Sequence, residues 1–164
     1  MRKPKAEGKF IDVGCGVAKR EGHIGIDRTA FPGVDIVRDI MRGLPFDDSS
    51  IDRIHCQHVI EHFEGEDLIF LVEEFFRVTK PGGFWTIICP GANSPNRYRD
   101  PTHKTRDWWH DSFMFWEVDE KGDHLIHRGP DYHASAKLAV QSEELPSQDM
   151  FYQIRVLKDD PRDA

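Results

Sequence analysis

The stretch KFIDVGCGVAKREGHIGID, residues 9–27, decides the fold. Its first apolar run ends at Gly14, and its second ends at Asp27. An apolar run that stops at a glycine is typical of a buried parallel strand that leads into a tight loop. The loop departs from the dinucleotide fingerprint G-x-G-x-x-G, because Lys19 occupies the position of the third glycine. The stretch therefore predicts two neighbouring parallel strands without the usual pyrophosphate turn between them.

Further strand patterns follow along the chain. VDIVRDI, SIDRIHCQ and FWTIICP have the β-branched and apolar composition of strands. Before the last of these, apolar residues at helical spacing from Leu68 to Val78 predict a helix that ends before Pro81. Residues 135–145 and 150–159 predict an antiparallel hairpin at the sheet edge. The predicted fold class is α/β, a Rossmann-like open, mostly parallel sheet with an antiparallel C-terminal hairpin.

The first two connections are short for this fold. About ten residues separate Gly16 from Asp27, and only RTAFPG separates Asp27 from Val34. A right-handed parallel crossover usually takes about a dozen residues or more. We therefore expect the first crossover helix to be shortened and the second to be nearly absent.

The composition is that of one globular domain over residues 1–164, with 31% charged and 38% hydrophobic residues. The net charge of -7 argues against nucleic acid as a partner, because phosphate binding needs clustered Lys and Arg. No apolar run is long enough for a membrane helix, and the N-terminus lacks the apolar region of a secretory signal. We expect no membrane partner.

The three cysteines are Cys15, Cys56 and Cys89. They are odd in number and never form a C-x-x-C pair, which argues against disulfides and against a structural zinc site. The sequence favours a reducing, cytoplasmic setting, small buried thiols and no metal.

Acidic residues follow the predicted strands towards one edge of the sheet. In open α/β sheets, ligands bind at the carboxyl ends of the strands, where the strand order reverses. The glycines after the first strand let the backbone approach a ligand. Asp27 could accept two hydrogen bonds from a ribose diol, and Asp39 lies where it could meet an adenine amine. The alternative is a tight turn with solvated aspartates.

In order, the segments FIDVGCG, IGID, LPFDDSSID, VIEHF and RVTKPGG resemble the successive motifs of class I S-adenosylmethionine-dependent methyltransferases. The resemblance covers about residues 9–90, and the later DPTHKTRDWW resembles a segment of some small members. It implies S-adenosylmethionine as the cofactor and methyl transfer as the activity. Residues 9–90 are then the cofactor-binding half, and residues 91–164 form the substrate-facing segment and the edge hairpin.

The resemblance also implies a set of cofactor-binding residues near the strand ends. They are Asp12, Gly14, Cys15 and Gly16 on the methionine side, Asp27 at the ribose, Asp39 and Ile40 at the adenine, and Gln57 beside the sulfonium. His58 faces the sulfonium and the substrate. The sequence departs from the family at Ala18, where a further glycine is frequent.

The histidines allow more than one interpretation. HVIEH, residues 58–62, matches the H-x-x-E-H pattern of inverted zinc proteases, but that pattern belongs on a helix and His58 follows a strand. We expect Glu61 and His62 to cap and orient the following helix. In the long segment after Pro90, His103 is either a general base or a surface histidine. His58 and His103 are thus the candidate catalytic residues.

The aromatic residues from Trp108 to Trp116 either pack as core or form a lid that lines a substrate pocket.

The sequence leaves three candidate functions. The first is methyl transfer to an unidentified, small-molecule acceptor. The second is a non-catalytic cofactor-binding or assembly module derived from the same fold. The third, a nicotinamide-dependent oxidoreductase, is disfavoured by Lys19 and by the RVTKPGG run.

Overall fold

The computed structural model describes residues 8–126 and 135–159. Within these residues, one sheet of seven strands carries a single α-helix, α1, on one face. The elements are β1 (Phe10–Val13), β2 (Ile24–Asp27), β3 (Ile36–Val37), β4 (Ile51–Gln57), α1 (Gly65–Val78), β5 (Thr79–Pro90), β6 (Leu138–Glu144) and β7 (Asp149–Val156).

The strand order is β3-β2-β1-β4-β5-β7-β6. The first five strands in this order pair in parallel, and β7 is antiparallel to both of its neighbours. The predicted open, mostly parallel sheet and its C-terminal hairpin are confirmed. The strand order reverses between β1 and β4, which places a binding crevice at their carboxyl ends.

The short crossovers contain no α-helix. The predicted shortened first helix is replaced by turns, in which the N–H of Ala18 donates to the carbonyl of Cys15 and that of His23 donates to Arg20. The Arg20 N–H donates to the Asp12 carboxylate at 2.7 Å. This side-chain contact competes with a helical backbone and closes the connection without one.

The apolar core lies on one face of the sheet. Leu71, Phe75 and Val78 of α1 are buried there, and the Phe75 and Trp85 rings meet edge to face with centroids 5.7 Å apart. The Trp85 indole N–H donates to Thr79 Oγ1 at 2.8 Å. The helix therefore sits on the central strands β4 and β5 and ends where β5 begins.

The opposite face of the sheet is largely polar. Successive side chains alternate between faces, so the register puts Arg53, Phe84 and Arg155 side by side on this face. All three are exposed. Parallel sheets are usually covered on both faces, but the described residues place their α-helix on the first face alone. No helix of the described residues is long and apolar enough to cross a membrane.

Candidate functional site

A pocket of about 630 Å³ opens at the carboxyl ends of the parallel strands. This volume is in the range of small-molecule and cofactor sites, about 300–1,000 Å³. Its walls come from the residues that follow β1 to β4 and from a later part of the chain. The lining comprises Gly14, Asp27, Arg28, Thr29, Phe31, Arg38, Asp39, Ile40, Met41, His58, Val59, His62, Phe63, Asp67, Thr102 and Lys104.

The loop after β1 is bound to the end of β2. The N–H groups of Gly14 and Cys15 both donate to the Ile26 carbonyl, at 2.8 and 3.2 Å. Gly14 has φ 70°, and a Cβ added there would lie 2.2 Å from Cγ2 of Val59. Glycine is therefore required both by the backbone conformation and by the close approach of the loops that follow β1 and β4.

Asp27 lies in the pocket wall with both carboxylate oxygens engaged by the backbone. Oδ2 accepts from the Gly16 N–H and Oδ1 accepts from the Thr29 N–H, each at 2.9 Å. An ionised carboxylate offers about four lone-pair sites, so each oxygen can accept a further hydrogen bond. The carboxylate is thus held in a fixed orientation and keeps capacity for hydroxyl donors.

Asp39 and Ile40 form a second part of the wall. The Asp39 Oδ1 accepts from the Met41 N–H at 3.0 Å and caps the 3₁₀ turn Ile40–Arg42. Ile40 is buried, and together with Met41 it gives the pocket an apolar surface beside a carboxylate. This combination suits a flat, partly apolar ring that carries a polar edge.

Four residues of the predicted set do not line the pocket: Asp12, Cys15, Gly16 and Gln57. Asp12 is buried beneath the first crossover. Burial, with the nearby Asp12 and Asp27 carboxylates, raises the pKa of the Cys15 thiol. Gly16 is connected to the pocket through its hydrogen bond to Asp27. Of the predicted cofactor-binding residues, those predicted at the ribose and adenine therefore line the pocket, whereas most of those predicted on the methionine side do not.

His55 has a role that sequence reasoning missed. It is 6% exposed, it pairs with Asp12 across β1 and β4, and its ring nitrogens lie 2.9 and 3.2 Å from Nη1 of Arg20. Burial, reinforced by the Arg20 charge, lowers the pKa of His55. A neutral His55 therefore supports the first crossover from below.

His58 lines the pocket next to Val59. It has φ 56°, its side chain is 42% exposed, and its Nδ1 lies 3.3 Å from Oε1 of Glu61. Its Nε2 lies 3.8 Å from Oδ2 of Asp149. The Glu61 carboxylate raises the pKa of His58. Burial opposes this shift, and the Asp149 carboxylate adds to it. Asp149 begins β7, and no local signal in the sequence pointed to this contact.

His103 does not line the pocket. It is 8% exposed, its Nδ1 lies 3.2 Å from the Arg97 carbonyl, and its Nε2 lies 3.9 Å from Oε1 of Glu61. The N–H groups of Lys104 and Thr105 both donate to the Glu61 carbonyl, at 2.8 and 3.1 Å. These bonds bring residues 102–105 against the turn at Glu61 and build the far wall of the pocket.

The aromatic cluster packs as core. Phe113 is 1% exposed, and its ring centroid lies 4.9 Å from that of Tyr152 and 5.8 Å from that of Trp108. Neither Trp108, Phe113 nor Trp116 lines the pocket. Of the two interpretations of this segment, the structure therefore supports a packed core. Several pocket residues that the sequence analysis did not name, among them Arg28, Arg38 and Met41, neighbour predicted ones. Thr102 and Lys104 belong to the DPTHKTRDWW segment, which the sequence analysis placed only in the substrate-facing part of the chain.

The residues present fit an adenosyl cofactor. A fixed carboxylate at Asp27 offers acceptors to a diol, while Asp39 and Ile40 offer a carboxylate beside an apolar wall. The loop at Gly14 lies open to the same space. No pyrophosphate-binding turn is present there, which agrees with a cofactor that has none.

Known proteins that are similar to this chain are methyltransferases. A family described as the methyltransferase domain matches residues 17–87. The chain is 36% identical over 102 residues to a probable S-adenosylmethionine-dependent methyltransferase of Mycolicibacterium smegmatis, covering 56% of this chain and 38% of that protein. It is 28% identical over 110 residues to the probable methyltransferase PMT21 of Arabidopsis thaliana, covering 54% of this chain and 18% of that protein. The chain thus spans well under half of either relative.

Two solved structures share the fold. Phosphoethanolamine N-methyltransferase 1 of Haemonchus contortus, in complex with phosphoethanolamine and S-adenosylhomocysteine, has a TM-score of 0.66 and 11% identity, over 94% of this chain and 40% of that one. An S-adenosylmethionine-dependent methyltransferase of Methanosarcina mazei has a TM-score of 0.60 and 18% identity, over 94% and 95% of the two chains. With the strand order, these structures show that the chain has the fold of the class I S-adenosylmethionine-dependent methyltransferases, and residues 17–87 match the methyltransferase domain.

Proposed function

We propose that this chain transfers a methyl group from S-adenosylmethionine to a small-molecule acceptor. The observation that carries the proposal is the pocket itself, in which Asp27, Asp39 and His58 meet at the ends of β2, β3 and β4. When bound, the cofactor supplies a methyl group already activated by its sulfonium. The protein then has to bind the acceptor, orient it towards the methyl group and exclude water. Alignment of the reactants alone contributes roughly 7–11 kcal/mol to such reactions.

In this proposal, Asp27 accepts hydrogen bonds from the ribose hydroxyls, and Asp39 and Ile40 hold the adenine. Gly14 admits the cofactor to the end of β1. Asp12 and Gln57 support it from the ends of β1 and β4, and Cys15 and Gly16 support it from the loop after β1. His58 contacts the acceptor, because its exposed imidazole faces the pocket beside Gly14. His103 is a weaker catalytic candidate, since its ring is buried and turned towards Glu61.

The division of the chain belongs to the same proposal. Residues 9–90 hold the cofactor, and residues 91–164 face the acceptor, which is supported by Thr102 and Lys104 in the far wall of the pocket. A small-molecule acceptor agrees with the net charge of -7 and with the size of the pocket. A reducing, cytoplasmic setting is supported by the three cysteines, all of which are free and buried.

Ligand binding tests the proposal directly. S-adenosylmethionine and S-adenosylhomocysteine should raise the melting temperature, whereas NAD should not. His58→Asn should retain cofactor binding and lower the rate of transfer from a labelled methyl donor across a panel of small acceptors. Absence of a thermal shift with either adenosyl ligand at millimolar concentration would contradict the proposal.

A second function has one observation in its favour. The described part of both short crossovers lacks the α-helices that usually follow β1 and β2, and one face of the sheet is left polar and exposed. A non-catalytic module that retains the cofactor site fits this reduction. Tight S-adenosylhomocysteine binding without turnover on any acceptor of the panel would favour the module over the enzyme.

A further inference from the structure

The carboxylate of Glu61 is buried without a hydrogen bond. It is 1% exposed, and neither side-chain oxygen has a hydrogen-bond partner within the described residues. Its nearest charged contact is the misaligned 3.3 Å approach of His58 on the pocket side. Burying an ionised carboxylate without partners is costly, and such groups in proteins are usually paired or bound to a metal ion.

Two further histidines surround this carboxylate. Glu61, His62 and His103 each present one ligand atom, and these atoms lie within 4.8 Å of one another. Oε1 of Glu61 and Nε2 of His103 are 3.9 Å apart. Zinc bonds of about 2.0–2.2 Å place tetrahedral ligand atoms about 3.4 Å apart, so small side-chain rotations would close the three residues on an ion.

Hydrogen bonds leave the Nε2 atom of each imidazole available. Nδ1 of His103 lies 3.2 Å from the Arg97 carbonyl, an arrangement that requires a proton on Nδ1. Nδ1 of His62 lies 3.0 Å from Oγ1 of Thr102, and that hydroxyl donates its own proton to Asp100 at 2.6 Å. The Thr102 oxygen therefore accepts from His62, whose Nε2 keeps its lone pair.

This second layer of contacts is typical of metal-binding histidines, which donate the other ring N–H to a carbonyl or to a group held by a carboxylate. The sequence DPTH, residues 100–103, supplies the second layer for His62 and the ligand His103. The backbone bonds from Lys104 and Thr105 to the Glu61 carbonyl hold it in place.

We propose that Glu61, His62 and His103 bind a divalent transition-metal ion at the wall of the pocket. Two imidazole nitrogens and one carboxylate match the ligand preferences of Zn²⁺, and a site with three protein ligands keeps a position open. His62 lines the pocket, so the ion lies beside the space for the acceptor. This proposal departs from the expectation from sequence that no metal is bound.

The ligand set differs from the zinc-protease interpretation of HVIEH. In that pattern, the two histidines lie on one helical face and the glutamate is a base. Here Ile60–His62 forms a single 3₁₀ turn, and His58 leaves β4 towards Asp149. Glu61 becomes a ligand, and the second histidine comes from a residue 42 positions after Glu61.

Metal titration of the whole chain tests the site without any methyl donor. Protein that has been treated with a chelator and dialysed should bind one Zn²⁺ per chain in isothermal titration calorimetry. When Co²⁺ is used as a probe, its visible absorption bands should be those of a cobalt ion with a low coordination number. Glu61→Gln and His103→Asn should each weaken Zn²⁺ binding by more than about 100-fold, beyond the losses typical of outer-layer changes. Thr102→Val, which removes no ligand, should weaken it about 10- to 100-fold.

His110→Asn is the matched control, because His110 is exposed in the same segment and bonds to Ser142. This variant should bind Zn²⁺ like the wild type. Circular dichroism and thermal melting of the metal-free variants show which of them fold. If a variant that lacks a ligand does not fold, Thr102→Val provides the test of the site instead. Failure of the folded wild type to bind Zn²⁺ at micromolar free metal, or equal binding by wild type and Glu61→Gln, would overturn the proposal. Cofactor thermal shifts are measured separately, so either proposal can fail alone.

Discussion

The backbone N–H of Gly16 donates a 2.9 Å hydrogen bond to Oδ2 of Asp27 and so connects the loop after β1 to the last residue of β2. In a fold that lacks the first crossover helix, this bond replaces part of the support that a helix would give the loop. The same carboxylate faces the pocket. Under the proposed function, this one side chain therefore couples the loop structure to cofactor binding.

We predict that Asp27→Asn weakens binding of S-adenosylhomocysteine about 10- to 150-fold, because hydrogen bonds to a charged group contribute about 1.5–3 kcal/mol. Isothermal titration calorimetry measures the change. Asp35→Asn is the control. Asp35 accepts from Lys19 and from the Gly25 N–H and holds the same region, but it does not line the pocket. Equal losses in the two variants would show that the effect is on the loop rather than on the ligand.

The close approach of Gly14 to Val59 gives a second prediction. An alanine Cβ at Gly14 would lie 2.2 Å from Cγ2 of Val59, whereas a Cβ at Gly16 meets nothing within 4 Å. Both glycines have positive φ, which costs a non-glycine residue roughly 1–2 kcal/mol. We expect Gly14→Ala to lower the free energy of unfolding more than Gly16→Ala does, measured by urea denaturation.

Val59→Ala provides the test of cause, since it removes the clashing methyl. The double variant Gly14→Ala/Val59→Ala should be less destabilised than the sum of the two single changes, with a coupling energy of about 0.5–3 kcal/mol. If the losses of the two single variants are fully additive in the double variant, the destabilisation by Gly14→Ala comes from the backbone conformation alone and not from the contact with Val59.

The sheet was predictable because its strands are apolar runs that stop at glycine or acidic residues, as at Gly14 and Asp27. Helix α1 was predictable from its apolar spacing. The loss of the first helix was only partly foreseen, because sequence spacing shows that a connection is short but not that the Asp12 carboxylate will bind the Arg20 N–H in place of a helical turn.

The pocket was predictable where it follows strand ends, at Gly14, Asp27, Asp39 and His58. The far wall was not, because its position depends on contacts between distant residues in a segment without periodicity. The bonds from Lys104 and Thr105 to Glu61 are of this kind. A lone buried carboxylate such as Glu61 likewise cannot be recognised until its neighbours are known.

The aromatic cluster after β5 should behave as core. Phe113→Ala is expected to lower the free energy of unfolding by about 3–5 kcal/mol, since the ring is 1% exposed and packs on Tyr152 and Trp108. Trp109→Ala, four residues earlier and 45% exposed, is the matched control and should cost far less. Equal and small losses would instead indicate a loosely packed lid, which would also show in faster hydrogen exchange.

The pair Glu74–Arg77 joins α1 to the loop before β4. Arg77 donates to both oxygens of Glu74 at 2.8 and 2.7 Å, and the Leu44 N–H donates to Oε1 at 2.6 Å. The hydrogen bonds from Arg77 lower the pKa of Glu74. Burial acts in the opposite direction, and the hydrogen bond from the Leu44 N–H adds to the lowering. Glu74 is 8% exposed, whereas the side chain of Arg77 is 35% exposed, so the carboxylate is better shielded from solvent than its partner.

A depressed pKa in the folded state has a definite consequence for stability. The contribution of Glu74 is fully present above the unfolded pKa of about 4.3 and is lost as the pH falls through the lower folded value. Glu74→Gln should therefore cost about 1.5–3 kcal/mol in urea denaturation at neutral pH, and the difference from wild type should shrink below about pH 4. Glu66→Gln, exposed in the first turn of α1, should change stability by less than about 0.5 kcal/mol at either pH. A Glu74→Gln difference that stayed constant down to the acid transition would mean that packing, rather than the charged hydrogen bonds, holds the loop to the helix.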